Sequence, residues 1–323
     1  MTEQNTSETA ATNAFLKKSR PKLAELETIR LAKLKVFQFR KKVAFPIGAV
    51  LTPFLGYIDY WLLLLQRGND DAAAGLSVAG LVALWAWVDA PKRQYAKAYK
   101  RDILPDMARL FGDFTYDVKG KIPMDAMKPS KIVPNHTGYS SEDFFTGQYK
   151  AVTINFSEIN LVQQSGKRTT TVFKGLAVLL TQGTKRFHGH TIMTQDKGKV
   201  GSWFKEKTSS FKRADLVDPE FEKLFDVFTT DQVEARYLID PRIIENLKTL
   251  YNEYSGKQMM VAFYDDHVLI LIGSDVNHFE PADITIPATD EASLLAMKRE
   301  IEGILSIVDR LSLYDPKKAR QAA

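Results

Sequence analysis

The chain has 323 residues, a formal net charge of +5 and no cysteine, which excludes disulfides, thiolate nucleophiles and cysteine-ligated metals. The basic excess is local: residues 1–101 hold 16 Lys and Arg against 8 Asp and Glu, whereas residues 102–323 hold 28 against 31. Because that excess flanks two apolar runs, it points to an anionic lipid surface and away from nucleic acid.

Residues 1–12 are small and polar, the composition of a disordered leader. Residues 15–39 mix Leu16, Leu23, Leu26, Leu34 and Phe37 with many Lys and Arg, and read as a basic helix, either solvated or lying on a bilayer. Apolar runs follow at 43–65 and 72–90, separated by Arg67-Gly68-Asn69-Asp70-Asp71. As helices they would run about 34 Å and about 28 Å, against a hydrocarbon core of about 30 Å. Pro46, Gly48, Pro53 and Gly56 are compatible with bilayer helices, where neighbouring groups satisfy the freed backbone. The first run begins too far along the chain for a cleavable signal and reads as an uncleaved anchor. Lys and Arg cluster before the first run and, at Lys92, Arg93, Lys97, Lys100 and Arg101, after the second, so both termini are expected in the cytoplasm. Tyr57, Tyr60 and Trp61 at one end, with Trp85, Trp87 and Tyr95 at the other, suit interfacial belts. Asp59 lies inside the first run, where it would be snorkelling, protonated, paired with Arg67, or acting as a helix-packing or ion-path carboxylate.

Beyond the second run, residues 94–111 read as a helix, and a turn-rich stretch holds Pro123, Pro129 and Pro134. The sheet is expected to begin near Gly147: Val152, Ile154 and Phe156 alternate with polar residues, Gly166-Lys167 supplies a turn, and 169–180 returns as a strand. Residues 187–194 read as a short strand, and 195–214 as a basic connection whose Trp203 and Phe204 form either a surface loop or a second membrane-interface patch. Asp218-Pro219 and Asp240-Pro241 each place a capping carboxylate before a Pro and start a helix, the second ending at Gly256. Residues 259–264 and 267–272 pair across Asp265-Asp266, and a closing helix from about Asp290 has one apolar face. Strands running into helices without regular alternation give an α+β fold: an N-terminal two-helix transmembrane hairpin, then a mainly antiparallel-sheet domain with packed helices. The expected division is a basic, partly helical leader at 1–42, the hairpin at 43–90 and the cytoplasmic domain at 91–323.

Several stretches together, Glu142-Asp143 with Gly147, Phe156-Ser157-Glu158, Phe173-Lys174-Gly175, Asp218-Pro219-Glu220-Phe221-Glu222-Lys223, and most densely Thr230-Asp231-Gln232-Val233-Glu234-Ala235-Arg236-Tyr237, carry a likeness. Phe279-Glu280-Pro281 and Ile307-Val308-Asp309 extend it. The series resembles a bacterial family catalogued as domain of unknown function 3137, over roughly residues 99–313. The resemblance implies a membrane protein of the bacterial inner membrane with spans ahead of the domain, and implies no activity.

Asp231, Glu234 and Arg236 are the strongest polar cluster; on a strand Glu234 and Arg236 would share a face and Asp231 would project opposite, as a fold-holding ion bridge or a site for a carboxylate or phosphate. His188 and His190 could hold a metal only with a third ligand that no spacing supplies, and Ser157-Glu158 lacks the glycine-framed elbow of a hydrolase nucleophile. No cofactor or metal is expected. The expectation is a non-enzymatic multi-pass protein whose partners are the bilayer and either a protein or further copies of itself. The alternative is a membrane-tethered hydrolase or ligand sensor using Glu142, Asp143, Asp231, Glu234 and Arg236.

Overall fold

The computed structural model describes residues 2–65, 75–183, 186–195, 210–214, 223–253 and 258–311. The turn at 67–71, the Trp203 and Phe204 loop, the Asp218-Pro219 helix start and the Gly256 stop lie outside them. Two compact units are present: one holds residues up to Ile103 with Glu280–Leu295, the other Leu104–Phe279 with residues from Ala296 onward.

The first unit is built on two long helices, α1 (Thr2–Leu65) and the greater part of α2 (Gly75–Ala108). The leader expected to be disordered is helical from Thr2, and α1 continues without a break through Pro21, Pro46 and Pro53. Phe15, Leu23 and Leu26 are buried, so the basic stretch has an apolar side that packs within the unit. Contacts between α1 and α2 run in opposite chain directions: Lys22 Nζ to the Asp102 carbonyl (3.3 Å), Lys33 Nζ to Gln94 Oε1 (2.6 Å) and Arg40 Nη1 to the Trp87 carbonyl (2.6 Å). Further along, Gly48 faces Leu84 and Gly80 faces Leu55, small residues that let helices approach closely. Asp59 is 6% exposed, and its Oδ2 accepts from Ser77 N (3.0 Å) and Ser77 Oγ (2.5 Å), so it is a packing carboxylate at the start of α2.

The segment Glu280–Leu295 is fastened to these helices by charge. Arg30, 4% exposed, forks onto Glu27 (2.6 and 2.8 Å) and donates Nη1 to the Ile284 carbonyl (2.6 Å), while Glu27 accepts from Ala288 N (2.7 Å). Lys92 pairs with Asp283, Lys100 with Glu280, and Arg20 with Glu291. The Arg30 hydrogen bond holds the Glu27 carboxyl below its ordinary range, and Glu27 in turn raises Arg30.

Among the described residues the second unit holds a nine-stranded sheet of order β1-β2-β3-β4-β9-β8-β5-β7-β6, antiparallel at every pairing. Its strands are β1 (Thr115–Asp117), β2 (Gly138–Tyr149), β3 (Val152–Ser165), β4 (Arg168–Thr181), β5 (Thr191–Thr194), β6 (Lys212–Arg213), β7 (Asp226–Thr229), β8 (Met259–Tyr264) and β9 (His267–Gly273). The α+β expectation with a mainly antiparallel sheet is met, but the sheet begins well before Gly147. Its first long strand escapes a period-two reading because a bulge between Glu142 and Phe145, with Asp143 at φ 54°, shifts the alternation. The two short turns stand as read: Ser165 pairs with Arg168 across Gly166-Lys167, and Tyr264 with His267 across Asp265-Asp266.

Every residue of β8 and the run Gly175–Leu180 of β4 are buried, so the centre of the sheet is covered on both faces. On one face Ile159, Ala177, Leu179, Leu269, Leu271, Met260 and Ala262 pack with Ile122, Met127, Ile132 and Val133 from the turn-rich stretch, which includes the short helix α3 (Met124–Met127). On the other, Phe145 stacks on Phe156 at 4.6 Å and both meet Phe279. Phe279 N donates to Glu300 of the closing helix, whose residues Met297, Ile301, Ile304, Leu305 and Val308 are buried. That helix (Glu291–Arg310) and the one at Pro241–Glu253 are joined by Arg310 to Glu253 at 2.8 Å. Asp240 caps the latter through Ile243 N (2.8 Å), as its Asp-Pro start predicts.

Three stability predictions rest on these contacts. Arg30→Ala strands a mostly buried carboxylate and should cost about 3 kcal/mol in thermal unfolding of the full chain in detergent. Since the folded Glu27 pKa is depressed, its contribution is complete above the ordinary value of 4.5 and lost as pH falls through the lowered one, so Glu27→Gln should flatten the acid limb of the wild-type stability profile. Gly175 is at φ 152°, and a Cβ there would lie 2.0 Å from the Ile272 carbonyl oxygen; Gly175→Ala should cost about 3 kcal/mol. Gly183→Ala, which meets nothing within 4 Å, should be near neutral in the same measurement.

Candidate functional site

Asp231, Glu234 and Arg236 lie on a helix, not a strand. Asp231 is the N-cap of α4 (Gln232–Leu238), its Oδ1 accepting from Val233 N at 2.9 Å and Glu234 N at 3.0 Å. The cap residue followed three positions later by Glu is a helix-start spacing, and it wins over the alternation. Glu234 does not bridge to Arg236: its carboxylate accepts from His188 N (2.7 Å) and Gly189 N (2.5 Å), fixing the chain entering β5. Gly189 permits this approach, since a Cβ there would fall 2.6 Å from Asp231 Cβ. Arg236 is exposed and makes no ion pair among the described residues.

Glu142 is on β2, six strand positions from β7 in the sheet order, which at about 4.8 Å per strand is about 29 Å from the α4 group. Asp143, beside it in sequence, sits at the bulge, is 1% exposed and accepts from Tyr116 Oη at 2.6 Å. The structure therefore does not gather the five residues named from sequence: Asp231 and Glu234 hold a helix and a turn, Asp143 is internal, and Glu142 belongs elsewhere.

Glu142 lies in a cleft made by strand register. β2, β3 and β4 set Glu142 directly opposite Glu158, and Asn160 opposite both Ser140 and Lys174. With Gly175 and with Ser274, Val276 and Asn277 after β9, these line a half-open cleft of about 210 Å³. The segment after β9 is well fastened: Ser274 N donates to the Lys174 carbonyl (3.0 Å), His278 N donates to the Glu158 carboxylate, and Phe279 is held as described. Burial lowers the His278 pKa, against an opposing pull from Glu300, so its ring is neutral at pH 7, with Nε2 3.2 Å from Ser274 Oγ. Lys174 Nζ donates to Asn277 Oδ1 at 3.4 Å. Carboxylates directly opposite on neighbouring strands repel, and Lys174 sets one positive charge against two negative ones. Asn160 Oδ1 is sealed from solvent and has no hydrogen-bond partner. Chemically the cleft is net acidic, with two carboxylates against one ammonium.

Of the cleft residues, Asn160, Ser274 and Asn277 are not singled out in the sequence, and Glu158 and Lys174 stand there only within the Phe156-Ser157-Glu158 and Phe173-Lys174-Gly175 stretches, with no site assigned to them. The available signal was polar residues at alternate positions of strands otherwise apolar, Glu158 and Asn160 above all. Ser157, one position before Glu158, is fully buried opposite Ala177 and has no access to substrate. His188 and His190 precede β5 in a bend and not in the expected strand; His190 stacks on Tyr264 (5.6 Å), its Nε2 is 2.9 Å from the Ser130 carbonyl, and burial lowers its pKa. Among the described residues no group of three or more His, Asp or Glu is placed to hold a metal ion.

Residues 171–313 match the profile of a family described as protein of unknown function (DUF3137). The match takes in β4 from Thr171 onward, α4 and the segment after β9, including Lys174, Gly175, Ser274 and Asn277 of the cleft; Glu142 and Glu158 precede it. No curated protein and no solved structure matches the chain. Residues 171–313 are thus similar to the DUF3137 family.

Proposed function

We propose that this is an integral protein of the bacterial inner membrane, in which α1 and α2 cross the bilayer as a hairpin with both termini cytoplasmic and hold the α+β unit at the membrane to bind a protein partner or organise an assembly, without catalysis. The observation that carries the reading is exposure. One helix among the described residues, within Thr12–Trp61, is long and apolar enough to cross a membrane, and only 6% of its most apolar stretch is buried. Phe45 is 83% exposed and Val50 72%, and on α2 Val78 and Trp85 are 61% and 63% exposed. A core helix of a water-soluble protein hides such residues.

The ends of this apolar zone support the same reading. At one, Arg40 lies over Trp87 (4.8 Å), Lys92 over Phe37 (4.6 Å) and Arg93 over Trp85 (5.6 Å), with Lys35, Lys41 and Lys42 exposed beside them. At the other are Tyr57, Tyr60 and Trp61, all exposed. From residue 43 to residue 61 a helix rises about 27 Å, close to the hydrocarbon thickness. The cationic residues at the Arg40 and Lys92 end of the zone support a cytoplasmic location for that end.

Alkaline carbonate extraction of bacterial membranes expressing the full chain tests the anchor, and a reporter fused to the carboxyl end tests its orientation. The protein should stay in the pellet, with the reporter active only as a cytoplasmic fusion. Release into the carbonate supernatant, or a reporter active in the periplasm, overturns the reading.

A further inference from the structure

We infer that the cleft between β2, β3, β4 and the segment after β9 is a binding site for a cationic N–H donor, a guanidinium or ammonium group. This deepens the partner-binding proposal and rests on it only for the source of that group.

The inventory of donors and acceptors carries the argument. Three of the cleft's donors have partners within the protein: Lys174 Nζ with Asn277 Oδ1, Ser274 Oγ with the Val276 carbonyl (3.2 Å), and Ser140 Oγ with the Asn160 carbonyl (3.5 Å), while the Ser141 hydroxyl has none. The charge that remains uncompensated is negative. The Glu142 carboxylate is exposed and makes no hydrogen bond or ion pair among the described residues. Glu142 and Glu158 sit opposite one another at the mouth, where Cβ atoms on paired antiparallel strands are about 5 Å apart, a spacing that a planar guanidinium bridges with one N–H edge to each carboxylate. A volume of about 210 Å³ admits a side-chain head group and not a nucleotide or a folded element. Lys174 lies one strand away from Glu158 and offsets part of the acidic field, so the site is set for a single cation rather than a highly charged one. An anion would meet two carboxylates, and a neutral acceptor would leave Glu142 unmatched.

The group has two sources, an Arg or Lys side chain of a partner protein or a free small guanidino or amino compound, and one titration separates them. The full chain in zwitterionic detergent is titrated calorimetrically with N-acetyl-Gly-Arg-Gly-amide, with agmatine, and with N-acetyl-Gly-Gln-Gly-amide as the neutral control. Saturable binding of either guanidinium probe, weakened about tenfold or more by Glu142→Gln and strengthened by Lys174→Gln, is the expected result. Tighter binding of the peptide assigns the group to a partner chain, and tighter binding of agmatine assigns it to a free compound. Both side chains are exposed, and their opposite effects separate a charge-recognition role from loss of folding. Absence of saturable guanidinium binding, equal binding of the Gln peptide, or indifference to both substitutions overturns the assignment. Membrane anchoring is read by extraction and topology, so a protein that stays in the bilayer but ignores guanidinium loses only the cleft assignment.

Discussion

Burial of β4, β9 and β8 on both faces is the constraint from which the rest of the second unit follows. These strands carry apolar side chains toward both sides along most of their paired length, so neither face of the centre is left to water. Covering one face draws in the turn-rich segment ahead of β2; covering the other draws in Phe279 and the closing helix. Polar chemistry is thereby expelled to the margins. On β4 the change is abrupt: Lys174 is exposed, and Gly175 through Leu180 are buried. The cleft lies on that margin, its walls made by the first residues that the two-sided core no longer needs.

Charge does two kinds of work in the first unit. Counting Lys and Arg beside an apolar run treats each as a contact with lipid, yet Arg20, Arg30, Lys92 and Lys100 are engaged by carboxylates of the same unit. Lys35, Lys41 and Lys42 face outward close to the apolar zone, where an anionic surface would attract most strongly. The ion pairs of Arg20, Arg30 and Lys100 lie further out, where screening by salt would leave a lone basic residue little hold on a membrane. A flank of fifteen or so basic residues thus includes a set of structural clamps, and only coordinates separate these from the basic residues that face outward.

Much of the fold was legible because local chemistry and long-range packing agree there. Gly166-Lys167, Asp265-Asp266 and Asp240-Pro241 each ask for the turn or helix start that the structure contains. Legibility failed where a second rule overrode the period. In β2 a single bulge at Asp143 moves every later side chain to the other face, and no local residue announces it. In residues 230–237 the alternation of polar and apolar residues mimics a strand, while the cap at Asp231 and the remote hydrogen bonds of Glu234 to His188 N and Gly189 N select a helix. The leader was misjudged for a related reason: small polar composition measures how little a segment can bury by itself, not whether it continues a helix whose Phe15, Leu23 and Leu26 are already packed.

The cleft was less legible than the fold because its residues have no relation in sequence. Glu142, Glu158, Lys174 and Asn277 come from four segments and meet only because three strands align in one register and the segment after β9 folds over their ends. Short motifs search along the chain, whereas a sheet composes its sites across it. The strongest sequence cluster, around Asp231, was strong for the opposite reason: its polar groups are close in sequence because they cap a helix and close a turn, and that local work leaves Arg236 as the group still facing solvent. Proximity along the chain marks structural self-sufficiency here, whereas the Glu142 and Glu158 pairing brings two like charges opposite one another through backbone register, with Glu158 also accepting from His278 N.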